Sequence, residues 1–351
     1  MKDYEVEHRV ADGLIPLLRD DLLGAFATIR QSIPLGHLEE ALATRRFDAI
    51  FTGLHWNRVI NDTADHLYAL LQRTVMRAAR AFLPTMPRAP IMKADPLASV
   101  GFRFDLLNPF ASTWAEIHGA TLLFHLSQSS QQAIRALVIR MFEEGIPPRP
   151  AARLLRDSIG LTERQVLAVL RFRATLWREN QLRALARQAA SALTAQQRAI
   201  YGARAVLAET RIAQLVQRYQ DKLLRSRALM IARTESIHAA VAGQQALWER
   251  MAADGVLDTA RVRRKWLVTP DERLCPVCAP IPSLPGNLVR LDEPFRLPGG
   301  GTVLHPPEHP NCRCAVRLVF PDAAGRYPPP DPMPPVQSPP RKSLRPRMPR
   351  R

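Results

Sequence analysis

Residues 275–278 read Cys275-Pro276-Val277-Cys278, and 31 positions after that second cysteine the chain reads His309-Pro310-Asn311-Cys312-Arg313-Cys314. All four cysteines of the protein fall in these two runs. A C-x-x-C offers two sulfurs to one ion from a tight turn, and a distant second pair closes a tetrahedron in which thiolates lower the metal's charge. Cys275, Cys278, Cys312 and Cys314 make an all-thiolate set, and His309 is a fifth candidate in place of Cys312 or Cys314. The expected cofactor is structural zinc. Reduced thiols, a disulfide pair and a redox centre are the alternatives. A redox C-x-x-C should follow a strand and open a helix, whereas Pro280, Pro282 and Pro285 come soon after Cys278.

The chain around these runs reads as short strands. Arg264–Val268 is one, Asn287–Leu291 a second after the Pro285-Gly286 turn, and Ala315–Phe320 a last one; Gly299-Gly300-Gly301 is a loop. Few large apolar residues lie here, so a bound metal would supply folding free energy that the segment's own core lacks.

Upstream the periodicity is helical. Ile60, Ala64, Leu67 and Leu71 keep a 3.6-residue period within a region spanning 1–83. Pro84, Pro87, Pro90 and Pro96 mark a linker over 84–107. Asn108-Pro109 then suits a helix start, since Asn can accept a free backbone N–H and Pro lacks the N–H that would be unpaired. Gly145-Ile146-Pro147-Pro148 breaks that helix, a short one follows over about 149–158, and Gly160 closes it. Thr162-Glu163-Arg164-Gln165 and Thr194-Ala195-Gln196-Gln197 are capping-box signatures. Ile212, Leu215, Val216, Tyr219 and Leu223 stripe a long helix, which is expected to break or bend before the 228–251 stretch; Gly255 ends the helical part. Arg233 and Glu235 read as a paired structural brace near a helix crossing. Gly243 weakens a helix unless close packing requires it.

The expected fold is mainly α with a small C-terminal α+β or β domain. A helical N-terminal region spans 1–83, a Pro-rich linker 84–107, a central helical region 108–259, a Cys/His-rich β segment 260–322, and a disordered basic Pro-rich tail 323–351.

The 351 residues carry a net charge of +17. Six of these charges sit in the tail, on Arg341, Lys342, Arg345, Arg347, Arg350 and Arg351, the candidate contacts to nucleic acid. They suit non-specific DNA binding through phosphates; no sequence-reading motif is present. No run of about 18 apolar residues predicts a membrane span, and the acidic start Met1-Lys2-Asp3-Tyr4-Glu5 is unlike a signal peptide. Four cysteines exclude a disulfide-rich secreted scaffold. His305-Pro306-Pro307-Glu308-His309 matches the H-x-x-E-H zinc-protease signature. That chemistry needs both histidines on one helix face, and two adjacent prolines preclude a regular helix there. No H-x-E precedes Cys275, as a zinc deaminase would require. No P-loop, G-x-G-x-x-G or Ser-His-Asp spacing occurs.

Several pieces in order resemble one family: Asn108-Pro109 with its helix, the Gly145 break with Ala151–Leu155, Ile231-Ala232-Arg233-Thr234-Glu235, Gly243, Lys265-Trp266, Asp271-Glu272-Arg273, Cys275-x-x-Cys278 and His309-Pro310-Asn311-Cys312-Arg313-Cys314. Over roughly residues 100–320 the chain is similar to the phage Mu F-like head morphogenesis proteins, also called minor head or minor capsid proteins. The resemblance implies a non-enzymatic virion component that associates with the portal protein and with capsid or scaffold proteins. It implies a location in the capsid interior near the portal, reached from the host cytoplasm during assembly, and a role in DNA packaging or delivery. Some relatives carry C-terminal toxin domains; here only the Pro/Arg arm follows Phe320. An independent DNA-binding module with a zinc-stapled domain is the competing expectation.

Overall fold

A computed structural model describes residues 5–46, 49–50, 56–82, 109–271 and 273–334. The linker expected at 84–107, the Asn108 cap and the six tail cations lie outside the described residues.

Eight α-helices occur among the described residues: α1 (Glu5–Ser32), α2 (Leu35–Ala43), α3 (Trp56–Phe82), α4 (Pro109–Glu143), α5 (Pro148–Asp157), α6 (Glu163–Gln188), α7 (Ala195–Tyr201) and α8 (Glu209–Ala253). Five short strands follow: β1 (Arg263–Leu267), β2 (Leu288–Val289), β3 (Phe295–Arg296), β4 (Thr302–Val303) and β5 (Ala315–Val319). The fold is therefore mainly helical with a small antiparallel β region near the C-terminus. No helix among the described residues is long and apolar enough to cross a membrane.

Local sequence explains the helix ends. Both expected capping boxes form: Thr162 Oγ1 accepts from the backbone N–H of Gln165 and Thr194 Oγ1 from that of Gln197, while each glutamine side chain accepts in return. Pro147 precedes α5, whose first residue, Pro148, needs no N–H partner. Gly255 ends α8 with φ of +71°, in the left-handed region. The break expected before residue 228 is absent, and α8 runs unbroken for 45 residues. Neither Pro nor Gly falls between Glu209 and Ala242, and Ala, Leu, Met, Arg and Gln keep helix propensity high throughout.

The chain forms two compact units. The second comprises Arg19–Leu67 and His118–Leu229. Its core joins Phe26, Leu38, Leu137, Leu155, Val169 and Val216. Buried polar groups finish the turn between α5 and α6. Gln220 Nε2 donates to Leu154 O at 3.0 Å and Ser158 Oγ at 2.9 Å. Arg227 donates to Gly160 O and Ser129 Oγ, each at 2.6 Å. Arg30 Nη2 donates to Asp157 O at 2.6 Å and Ile159 O at 3.0 Å. These donors satisfy carbonyls that the end of α5 leaves without helical partners.

The first unit comprises Met1–Leu18, Tyr68–Ile117 and Met230–Arg351. Within it, a Cβ on Gly243 of α8 would stand 2.4 Å from Val75 O and 2.7 Å from Ala78 Cβ of α3. Gly243 thus has the packing reason expected of it. Ala239 and Ala240 are fully buried in the same core as Val75 and Ala79. The main sheet has the order β2-β1-β5, antiparallel throughout, with Trp266 opposite Val316. β3 and β4 form a hairpin around the Gly299–Gly301 loop, a pairing the sequence expectation omitted. Trp266 is fully buried and meets Phe295 edge to face at 5.2 Å between ring centroids.

Arg264 of β1 is also fully buried. Its guanidinium donates to Arg290 O (3.1 Å), Gln245 Oε1 (3.2 Å), Leu304 O (2.9 Å) and Glu293 O (2.5 Å), and lies over the Phe295 ring. Burial lowers its pKa to about 10, so it stays charged at neutral pH. One strand cation thereby ties β1 to three loop carbonyls and α8, within a lobe that, against the expectation of few large apolar residues, buries Val262, Trp266, Ile281, Phe295 and Val316 in a common core.

Candidate metal centre

The C-x-x-C turn and the His309–Cys314 loop meet in the first unit beside β1 and β5. Cys275 O accepts from Ala279 N at 3.0 Å and Cys275 Sγ from Val277 N at 3.3 Å, so the backbone curls around the first sulfur. The second loop turns at Asn311, whose φ of +60° is in the region Asn tolerates best after Gly. Its N–H donates to Thr234 Oγ1 of α8 at 2.9 Å.

These turns bring all five expected ligands together. Donor atoms of Cys275, Cys278 and His309 lie within 4.8 Å of one another, as do those of Cys278, Cys312 and Cys314. Cys278 belongs to both sets; its sulfur is 3.2 Å from His309 Nε2 and 4.0 Å from Cys312 Sγ. Cys278, Cys312 and Cys314 are buried, Cys275 is half-buried, and none forms a disulfide. A cavity of about 20 Å³ opens among these side chains, Thr269, Arg273, Leu274, Asn311 and Arg313.

The donor chemistry fits a soft, thiolate-binding ion. His309 Nδ1 donates to Pro310 O at 3.0 Å, which leaves the Nε2 lone pair facing Cys278. Hydrogen bonds from Cys278 and Cys314 favour the Cys312 thiolate and hold its pKa far below the usual thiol value. Cys278 is pushed up, first by its hydrogen bond to Cys312, then by that to Cys314 and by burial. At Cys314 the bond from Cys278 acts downward, but the bond to Cys312, burial and repulsion from Cys312 together raise the pKa. The indole N–H of buried Trp266 has no hydrogen-bond partner among the described residues, yet lies close enough to Cys314 to favour its thiolate. A bound divalent ion would stabilise several thiolates and release their protons.

A shell of other residues fixes the two loops. Arg313, between the last two cysteines, makes a two-point ion pair with Asp271 at 2.5 and 2.6 Å. Hydrogen bonding from Arg313 holds the Asp271 carboxyl down at about 2. The Arg313 carbonyl accepts from Thr269 Oγ1 at 2.9 Å and His8 Nε2 at 2.8 Å, so the first turns of α1 are fastened to the loop. Sequence reasoning placed no role on Thr234, Asp271, His8 or Arg313. The position of Arg313 between two ligands was the available signal for the ion pair.

The remaining sequence-predicted site residues lie elsewhere. Arg233 is exposed on α8 whereas Glu235 is buried, with Oε2 3.9 Å from His238 Nδ1. Residues two apart on a helix project about 200° from each other, so this pair is not brought together as a brace. His305 is buried, donates through Nδ1 to Pro306 O at 2.8 Å, and stacks edge-on with His238. The 305–309 segment is not helical, which agrees with rejecting the protease signature.

The chain is thus a helical protein with a terminal β lobe built around a buried Cys/His cluster able to hold a metal. Residues 202–317 match the family model described as Phage Mu protein F like protein. The match runs from the end of α7 through α8 and both cysteine runs into β5, and it supports assignment to the phage Mu F-like head morphogenesis family that the motifs resemble. No curated protein and no solved structure matches the chain.

Proposed function

We propose that this chain is a structural, non-enzymatic phage minor head protein that associates with the portal inside the capsid. It joins the procapsid in the host cytoplasm, together with capsid or scaffold proteins, and acts in head assembly and in DNA packaging or delivery. The carrying observation is the family match over 202–317, the segment whose scattered Cys and His residues converge on one buried cluster. Zinc held by four of Cys275, Cys278, His309, Cys312 and Cys314 would clamp the terminal lobe and supply stability, with no reacting group required of the protein. The basic tail, with Arg341, Lys342, Arg345, Arg347, Arg350 and Arg351, would meet packaged DNA without reading its sequence. Co-purification with portal and procapsid tests the assignment. A protein never found in particles, and dispensable for their infectivity, would overturn it.

A further inference from the structure

The tail is a minor part of the charge. Residues 163–229, all in the second unit, hold thirteen Lys and Arg against four Asp and Glu. Their placement is regular. On α6, Arg164, Arg171 and Arg178 recur every seven residues and are exposed. On α8, Arg211, Arg218, Lys222 and Arg225 are exposed and fall within about 60° of one another around the helix axis. Core residues Val166 and Val169 of α6, and Ile212 and Val216 of α8, project from the far sides of these helices.

The two rows lie side by side. Gln165 Nε2 donates to Leu223 O at 3.2 Å, the Phe172 and Tyr219 rings sit 4.7 Å apart, and Asn180 Nδ2 donates to Leu207 O at 3.0 Å. This antiparallel register sets Arg164 level with Lys222 and Arg225, Arg171 with Arg218, and Arg178 with Arg211. Each row steps by about 10 Å per seven residues, and packed helices lie about 8–10 Å apart. None of the seven cations forms an ion pair among the described residues. Two of the four acids are engaged elsewhere, Glu179 with Arg183 and Asp221 with Arg30.

We infer that this two-helix face is a docking surface for the phosphate backbone of duplex DNA, separate from the tail. Its chemistry argues against single strands and against a protein partner. Single strands need exposed aromatic platforms, but Phe172, Trp177 and Tyr219 are half-buried and pack against the core. A protein partner would need an apolar centre, and the residues between the cations are small or neutral: Ala174, Thr175, Gln214 and Gln217. Two rows of Arg instead match a polymer carrying one negative charge per about 1.7 Å. The α6 row lies before residue 202, outside the family match, and the surface involves none of the metal-cluster residues.

The test uses the full chain and a labelled mixed-sequence duplex of ~25 bp, read by fluorescence anisotropy from ~50 to ~200 mM salt. Replacing Arg171, Arg178, Arg211 and Arg218 by Gln is expected to weaken binding by roughly 10²–10³-fold and to flatten the log–log salt slope by about 3.6, at about 0.9 per phosphate contact. Lys at the same four positions should restore most of both, which separates charge from folding. Full-length protein with all six tail cations changed to Gln should keep a slope due to the face. The inference is overturned if the four-Gln variant binds like the parent, if the tail substitutions alone abolish binding, if single-stranded DNA of equal length binds more tightly, or if polyglutamate outcompetes the duplex. Metal content and particle association are read separately, so failure here leaves the head-protein reading standing.

Discussion

Nε2 of His309 lies 3.2 Å from the sulfur of Cys278, joining residues 31 apart in sequence at the point where two candidate ligand triads overlap. Cys278 is the one residue common to both triads, so its loss breaks each of them.

Cys278→Ser is expected to weaken metal binding by more than about 100-fold, beyond the effect of losing an outer-shell partner. Helix content should change little, because α2, α5, α6, α7 and the first half of α8 lie in the second unit, whose core includes none of the cluster residues. Metal analysis with far-UV and near-UV circular dichroism checks this: near-UV signal from Trp266 should fall while the helical signal stays.

Asp271 and Arg313 connect the stretch before the first cysteine pair to the second. Each side chain is 28% exposed, so the pair contributes only about 1 kcal/mol. Because the folded Asp271 pKa is depressed to about 2, that contribution is present above the unfolded value near 3.8 and is lost as pH falls through 2. Asp271→Asn should lower stability by about 1 kcal/mol at neutral pH in urea unfolding, with the difference vanishing at the acid end.

Glu7 behaves in the opposite sense. Burial raises its pKa from 4.5 to about 7, its Oε1 accepts from Gln244 Nε2 at 3.2 Å, and its Oε2 and Gln244 Oε1 have no donor. The folded chain holds a proton there that the unfolded chain releases near 4.5. Stability should then fall as pH rises from 4.5 through 7, by up to about 3 kcal/mol. Glu7→Gln, with an amide that can donate to Gln244 Oε1, should remove this slope in urea titrations between those pH values.

Gly243→Ala places a methyl 2.4 Å from Val75 O, and overpacking of about 1–3 kcal/mol should exceed the gain of about 1 kcal/mol in helix propensity. Gly13→Ala meets nothing within 4 Å in α1 and should stabilise. Opposite shifts in melting temperature are expected.

Arg264→Leu would leave the Arg290, Glu293 and Leu304 carbonyls and Gln245 Oε1 without this donor, and should cost about 3 kcal/mol. Thermal unfolding followed by Trp fluorescence measures it.

Features written in local chemistry were legible in the sequence. The capping threonines Thr162 and Thr194, the α5 boundaries and the strands around Trp266 all follow from nearest-neighbour rules. The five candidate ligands were legible because thiols so rarely cluster by accident. What escaped depends on partners distant in sequence. Arg264 looks like any strand cation until two loops and α8 close over it, and Thr234 gains its role only when Asn311 arrives, 77 residues later. The break expected in α8 is absent because helix propensity carries the chain through residues 209–242, which neither Pro nor Gly interrupts. The seven-residue spacing of Arg164, Arg171 and Arg178 is plain in the sequence, but its alignment with Arg211 and Arg218 required the antiparallel register.

Elemental analysis of the purified full-length protein, paired with thermal unfolding in chelator, tests the metal clamp most directly. About one zinc per chain, with unfolding of the 260–320 lobe at lower temperature once zinc is stripped, is the predicted result. Protein that carries no metal and melts identically with and without chelator would contradict it.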